Sequence, residues 1–276
     1  MTFLNAVIAA VIKGFCTFMP LSEEGHLFLL DNWFNIEAPQ SAAFDFTISL
    51  VLLIVLAVLY GNLIWPMLRS VVELLVSIFT GKEPSKEDKP YRTVSFMAFL
   101  AALSFFMVSF FTRGLAVPTE ISVSLLLIVT GFIFSYSKAG KRNYRSVDSM
   151  MFYEAIICGA AAGLSSFNGI AFTAVMMFVM TLFRFDSEFS VSYTFVTYAI
   201  ILLERTIVSG INLTDRIAET ALSDIPVLLL CAVIVFVLSV LSVKLLIRTV
   251  KKKRSHLVSY YLGILGLAGI IIYFIR

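Results

Sequence analysis

The sequence predicts an all-α, polytopic integral membrane protein that forms a single transmembrane domain over residues 1–276. Its composition is 59% hydrophobic and only 14% charged, whereas soluble domains carry about 25% charged residues. Several uncharged stretches are long enough to cross a hydrocarbon core of about 30 Å. Clusters of basic residues separate some of these stretches. The small net charge of +3 argues against a nucleic-acid partner, and the bilayer is the expected environment.

The apolar stretches differ in length and continuity. Uncharged segments that can span a bilayer cover residues 47–68, 93–112, 121–137, 225–243 and 257–275. A shorter segment covers residues 189–203. Residues 155–182 exceed one span and contain a polar break at Ser165-Ser166-Phe167-Asn168-Gly169. Residues 66–79 predict an amphipathic interfacial helix, with Arg69 and Glu73 four positions apart on one face.

Three basic loops predict the orientation. They contain Lys82, Lys86, Lys89 and Arg92; then Lys138, Lys141, Arg142 and Arg145; and finally Arg248, Lys251, Lys252, Lys253 and Arg254. The positive-inside rule places all three in the cytoplasm and Arg276 outside. The chain between Arg145 and Ile225 must then cross an odd number of times. We therefore expect the broken segment there to be a re-entrant hairpin or an extra crossing.

Both halves of the chain contain a broken apolar segment before an uninterrupted span that runs from outside to inside. Paired interruptions of this kind are typical of an inverted repeat with its site at the repeat interface. The approximate halves are residues 1–137 and 138–276.

The first break is a polar cluster, Ser22-Glu23-Glu24-Gly25-His26, between two apolar runs. A bilayer tolerates broken backbone only where protein or a water-filled cavity satisfies it, and ionisable groups there are costly. One interpretation is a functional site, with His26 as nucleophile, general base or phosphate-binding cation. The other is a hydrated interfacial turn between two helices.

Each neighbour of His26 also has two interpretations. Ser22 suits a helix N-cap, and Gly25 lets backbone N–H groups approach an anion closely. Glu23 and Glu24 would repel a phosphate unless Mg²⁺ or Ca²⁺ bridged them; otherwise they form a solvated helix start that the dipole favours. Lys13 is either a buried cation for a phosphate or a side chain that extends to the interface.

The second break offers only neutral donors for a phosphate. These candidate substrate-binding residues are Ser165, Ser166, Asn168, Gly169 and Thr173. They can bind a phosphate oxygen but cannot offset its charge. Equally, they could satisfy unwound backbone.

At these two breaks the chain resembles the undecaprenyl-diphosphate phosphatase family, membrane proteins also known for bacitracin resistance. The first family motif, roughly E-G-x-T-E-F-x-P-x-S-S-T-G-H, resembles residues 13–26, KGFCTFMPLSEEGH. Residues 44–48, FDFTI, resemble the family's F-D-V-V-I, and further similarity extends to the last two helices. The resemblance implies about six full spans plus re-entrant hairpins.

The chain departs from the family at the positions that carry its chemistry. The resemblance implies paired glutamates that act with a divalent cation, and these positions hold Lys13 and Thr17. The second motif, P-G-x-S-R-S-G, aligns with residues 168–174, where Phe172 replaces the arginine and Ala171 the first serine. Arginine offers phosphate a fixed fork of donors and phenylalanine offers none. We expect weak diphosphatase activity unless Glu23, Glu24 and Lys13 rebuild the site.

Two functions follow from the resemblance. The first is hydrolysis of undecaprenyl diphosphate to the monophosphate lipid carrier at the outer face of the bacterial inner membrane. His26 would then be the nucleophile or acid/base, Ser22 and Gly25 would hold phosphate, and Glu23 or Glu24 would recruit Mg²⁺ or Ca²⁺. The second is a catalytically depleted relative that binds, moves or senses a polyprenyl phosphate or similar amphiphile.

Overall fold

The computed structural model describes residues 2–81, 85, 87–112, 114–115, 117–137, 145, 149–215 and 224–276. Within them the chain folds into eleven α-helices and a 3-10 turn at Leu164–Ser166. The helices are α1 Phe3–Cys16, α2 Glu23–Phe34, α3 Ala42–Leu59, α4 Gly61–Thr80, α5 Lys89–Thr112, α6 Glu120–Tyr136, α7 Phe152–Gly163, α8 Phe172–Leu182, α9 Ser187–Asp215, α10 Ile225–Lys251 and α11 Ser255–Ile275.

Five of these helices are long and apolar enough to cross a membrane: α3, α5, α9, α10 and α11. Helix α6 is nearly as long, with 17 residues, or about 25 Å at 1.5 Å per residue. The protein is therefore an all-α, multi-pass membrane protein, as the composition predicts. The three cysteines, Cys16, Cys158 and Cys231, are buried and free.

Two sequence-based boundaries are wrong. The span predicted over residues 47–68 ends nine residues earlier, because α3 stops at Leu59 and Tyr60 turns the chain into α4. The interfacial helix accordingly starts at Gly61, before Pro66. The segment predicted over residues 189–203 belongs to the 29-residue helix α9. The adjacent charges Glu204 and Arg205 do not end this helix, because they face a cavity instead of lipid.

Helices α1 and α2 form a re-entrant hairpin. Helix α1 runs alongside α10 in the same direction, so that the Ser239 and Ser242 hydroxyls donate to the carbonyls of Gly14 (3.1 Å) and Phe15 (2.8 Å). The chain then turns at residues 17–22 and returns as α2. Near the end of α2, Trp33 donates to Glu120, the first residue of α6.

Helices α7 and α8 form a second re-entrant hairpin that enters from the opposite, basic end. Helix α7 runs parallel to α5, and the Ser109 hydroxyl donates to the Gly163 carbonyl near the tip. This arrangement leaves α9 as the single crossing between Arg145 and Ile225, the odd number that the charge distribution requires.

Several of the helix contacts recur when each helix of one half is replaced by its counterpart in the other half. Helix α1 packs on α10 as α7 packs on α5, while α3 pairs with α9 and α6 pairs with α11. The boundary between residues 137 and 138 lies at the edge of the described residues. Of the basic-loop residues, Lys82, Lys86, Lys138, Lys141 and Arg142 lie outside them.

The α5–α7 contact requires Gly159, and this requirement is testable. A Cβ atom at Gly159 would lie 1.9 Å from the Ala101 carbonyl oxygen, whereas one at Gly263 of α11 would have open space. We expect Gly159→Ala to lower the free energy of unfolding by about 1–3 kcal/mol or more, because overpacking forces the helices apart. Thermal unfolding in detergent measures this, with Gly263→Ala as the matched control. Equal midpoints for the two variants would contradict the packing described.

Candidate functional site

The tips of the two hairpins meet at the Ser22 side chain. Ser22 is the N-cap of α2, and its Oγ accepts a hydrogen bond from the Gly25 N–H at 3.2 Å. The same oxygen accepts a second bond from the Gly169 N–H in the other hairpin, at 3.0 Å. The Gly169 carbonyl accepts from the Thr130 hydroxyl of α6 at 2.7 Å. One buried hydroxyl thus satisfies unwound backbone in both halves of the protein.

The contact depends on two glycines. A Cβ atom on Gly25 would lie 2.9 Å from the Gly169 Cα atom. Gly169 itself has a φ of +112°, a conformation that residues with a side chain rarely adopt. The predicted meeting of the two polar breaks is therefore present, and its closeness depends on the absence of side chains at both positions.

A charged cavity of about 300 Å³ lies beside this contact. Lys13 of α1 extends to Glu24, with 3.6 Å between Nζ and Oε1. Arg205 of α9 contacts Glu23 at 3.4 Å, and the Thr17 hydroxyl also donates to Glu23. Two further carboxylates complete the charged lining, Asp45 and Glu204. The cavity thus holds two cations and four carboxylates.

A smaller recess of about 40 Å³ continues from the charged cavity toward the second break. Phe172, at the position of the family arginine, stacks on Tyr198 with 4.7 Å between ring centroids. Arg205 lines this recess as well as the charged cavity. A positive charge from α9 therefore lines the recess in which the resemblance places an arginine at residue 172. Ser165 and Ala171 also face the recess.

Sequence reasoning missed Arg205, Glu204 and Asp45 as site residues. The available signal was their position, because ionisable residues inside apolar segments are functional candidates by default. The interruption at Glu204-Arg205 instead suggested the end of a short span. The three-dimensional contact with Glu23 connects positions 182 residues apart.

His26 lines neither the charged cavity nor the recess. Its Nδ1 contacts the Ser22 carbonyl at 2.7 Å, and its Nε2 contacts the Tyr261 hydroxyl at 3.0 Å. The ring stacks on Tyr261 of α11. His26 thus links the Ser22 turn to α11, on the side of α2 that faces away from the charged cavity.

The other candidate phosphate donors of the second break lie in different surroundings. Ser166 exchanges a 2.6 Å hydrogen bond with Thr112 of α5, so its hydroxyl is engaged in hairpin packing. Thr173 is buried, and its hydroxyl has no partner among the described residues. Asn168 is half-buried and lines neither hollow. Of the predicted phosphate donors here, only Ser165 lines the recess beside Arg205.

The divalent cation that the resemblance implies requires converging carboxylates. Among the described residues, no three His, Cys, Asp or Glu side chains form a group that could hold a metal ion. Glu23 and Glu24 are instead paired with Arg205 and Lys13. In this arrangement a divalent cation would bind Glu23 and Glu24 only by displacing Arg205 and Lys13 from them.

The double role of Ser22 predicts a loss of stability on truncation. Ser22→Ala removes the acceptor of two buried N–H groups, and we expect it to lower the free energy of unfolding by about 1–3 kcal/mol. Thermal unfolding in detergent measures the change. Ser77→Ala is the control, since its exposed hydroxyl donates only within α4. If both variants unfold like the unmodified protein, Ser22 does not hold the hairpins together.

The sequence is similar to known proteins along nearly the whole chain. The family model described as bacitracin resistance protein BacA matches residues 6–268. Three similar proteins carry the name undecaprenyl-diphosphatase. That of Alkaliphilus metalliredigens is 22% identical over 272 residues, covering 96% of this chain and 97% of its own. That of Desulforapulum autotrophicum is 25% identical, with 100% of both chains covered. That of Methanosphaera stadtmanae is 23% identical, with 98% and 97% covered. Since the family model spans more than half of the chain, this protein belongs to the bacitracin resistance protein BacA family.

Proposed function

We propose that this protein is a membrane undecaprenyl-diphosphatase, which hydrolyses undecaprenyl diphosphate to undecaprenyl phosphate and inorganic phosphate. The observation that carries the proposal is the charged cavity beside the meeting point of the two hairpins. It combines two cations that can hold phosphate with carboxylates that can move protons. The relatives named undecaprenyl-diphosphatase support the choice of substrate.

In this proposal Arg205 and Lys13 bind the two phosphate groups. The guanidinium offers a planar set of donors that matches phosphate oxygens, and the ammonium acts as a compact charge. Both cations are now paired with carboxylates, so the headgroup competes with Glu23 and Glu24 for them. A carboxylate that takes up a proton releases its cation and becomes a general acid. The cavity lining has four carboxylates and only two cations. Binding of an anionic headgroup in this proposal therefore requires that a carboxylate first take up a proton.

Hydrolysis then forms one bond to phosphorus and breaks another. Water attacks the terminal phosphorus, the bond from that phosphorus to the bridging oxygen breaks, and the water proton passes to a carboxylate. The leaving phosphate stays on the lipid. Glu23 and Glu24 are the proposed acid and base because each lines both the cavity and the recess. His26 acts as a positioning residue through the Ser22 carbonyl.

The apolar lining of the cavity suits a lipid substrate. Leu52 of α3 and Val208 of α9 face it beside the charged groups, and helices α3 and α9 expose apolar side chains on their outer surfaces. A polyprenyl chain can therefore lie along these helices while its headgroup occupies the charged part. We further propose that the protein lies in the bacterial inner membrane, with this cavity facing the outer side.

The activity proposal is tested by phosphate release from undecaprenyl diphosphate by the purified protein. We expect Arg205→Gln to reduce the rate by about two to three orders of magnitude, as for other electrostatic stabilisers of a transition state. Arg248→Gln removes the same charge from an exposed position outside the cavity and should leave the rate unchanged. Dependence on Mg²⁺ or Ca²⁺ stays a prediction, which adding each ion or EDTA to the assay measures.

Absence of phosphate release under all of these conditions would overturn the enzymatic proposal. If the lipid still binds in that case, the catalytically depleted alternative becomes the better explanation. Equal rates for the two arginine variants would remove Arg205 from the mechanism.

Orientation is tested separately with introduced cysteines. We expect Lys252→Cys, in the basic segment after α10, to resist a membrane-impermeant thiol reagent in intact cells. Val117→Cys lies at the opposite end, is 84% exposed and should react. The three native cysteines are buried and give little background. Labelling at residue 252 but not at residue 117 would invert the proposed orientation.

A further inference from the structure

A second cavity lies at the opposite, basic end of helices α3 and α9. It consists of two adjoining hollows of about 600 and 170 Å³ that share Tyr60, Ser192 and Ile247. Helices α3 and α9 line both this cavity and the charged one, whereas α10 contributes described residues to this cavity alone. Ser192 precedes Arg205 by thirteen residues on α9, or about 20 Å. The two cavities share no lining residue, so this one is a separate site.

Among the described residues that line the larger hollow there are polar groups and one positive charge, but no carboxylate. Its polar members are Tyr60, Asn62, Tyr91, Ser192 and Lys244. Within the part of the chain that the structure describes, none of these five side chains makes a hydrogen bond or ion pair. Lys244 is therefore an exposed cation without a partner there, beside hydroxyl and amide groups that also lack partners.

The smaller hollow does not change this balance. Its one carboxylate, Glu188, contacts the Lys251 ammonium at 2.8 Å. That pair is neutral, so the uncompensated charge of the joined cavity comes from Lys244. The remaining basic residues of the segment after α10, Lys252 to Arg254, are exposed nearby in the chain and increase the positive potential at this end.

The rest of the lining is apolar. Leu59, Leu63, Val243 and Ile247 surround the polar groups, and the adjoining helix α4 exposes a row of apolar side chains, among them Trp65 and Leu68. An occupant must therefore combine a negative headgroup with hydrocarbon. Free phosphate would neutralise the charge of Lys244, but it would leave the apolar part of the lining without hydrocarbon to pack against. Basic pockets between transmembrane helices are suited to anionic lipid headgroups.

We propose that this cavity binds the phosphate headgroup of an anionic bilayer lipid. Lys244 contacts the phosphate, Tyr91 and Asn62 donate hydrogen bonds to its oxygens, and an acyl chain lies over Leu63 and Ile247. The site is independent of the proposed hydrolysis, because it lies about 20 Å from the charged cavity along α9. The site therefore holds a lipid of the leaflet at the basic end against α4, α5 and α10.

Native mass spectrometry of the purified protein tests the site, with phosphatidylglycerol, phosphatidylcholine and inorganic phosphate as probes. We expect saturable retention of phosphatidylglycerol over phosphatidylcholine. Lys244→Gln should weaken it about five-fold or more, from about 1 kcal/mol per basic contact at a membrane surface. Lys244→Arg should retain it. Lys252→Gln removes the same charge from an exposed position outside the cavity and should bind like the unmodified protein.

Several results would overturn the proposal. Equal affinity in Lys244→Gln and Lys252→Gln would mean that general basicity, not this cavity, holds the lipid. Saturable binding of inorganic phosphate with the same sensitivity to Lys244 would establish a free-anion site instead. Equal retention of phosphatidylcholine would remove the headgroup charge from the recognition. Thermal unfolding of each variant verifies that the fold is intact, and failure of undecaprenyl diphosphate hydrolysis leaves these outcomes unaffected.

Discussion

The architecture depends on one hydroxyl group that satisfies broken backbone inside a membrane. Two re-entrant hairpins end at the middle of the protein, and neither can pair all of its N–H groups by itself. In hydrocarbon, each unsatisfied group would cost several kcal/mol. Ser22 Oγ accepts from Gly25 in its own hairpin and from Gly169 in the other. The tips must therefore touch, and the absence of Cβ atoms at both glycines allows them to do so.

This contact brings the charged groups together. It places Glu23 and Glu24 at the start of α2, where Lys13 of α1 and Arg205 of α9 can reach them. Charges this deep in a membrane protein are tolerated when they are paired and face a cavity. In the proposed mechanism the pairing also sets the chemistry, because a phosphate headgroup has to displace carboxylates from cations that the protein has already oriented. Under that proposal, stability and substrate binding use the same four side chains.

At the positions where this chain departs from the charged residues of the family motifs, a group with the same sign of charge as the family residue lies nearby in the fold. The resemblance places glutamates at residues 13 and 17, where this chain has Lys13 and Thr17. Both residues now contact the glutamates at positions 24 and 23. Carboxylates therefore remain at the hairpin tip, although they come from the other side of the turn. The arginine lost at Phe172 has a counterpart in Arg205, which lines the same recess.

The sequence alone determined the membrane class, the two broken segments and the existence of the spans but not the bounds of two of them, because apolar length and charge placement are local properties of the chain. It also indicated Ser22, Gly25, Glu23, Glu24 and Lys13 as members of one site. Only the tertiary structure decided that Arg205 and Asp45 join them and that His26 packs behind the turn against Tyr261. Those outcomes depend on which face of each helix meets its neighbours. Since α9 contacts residues about 180 positions away, no local pattern could determine them.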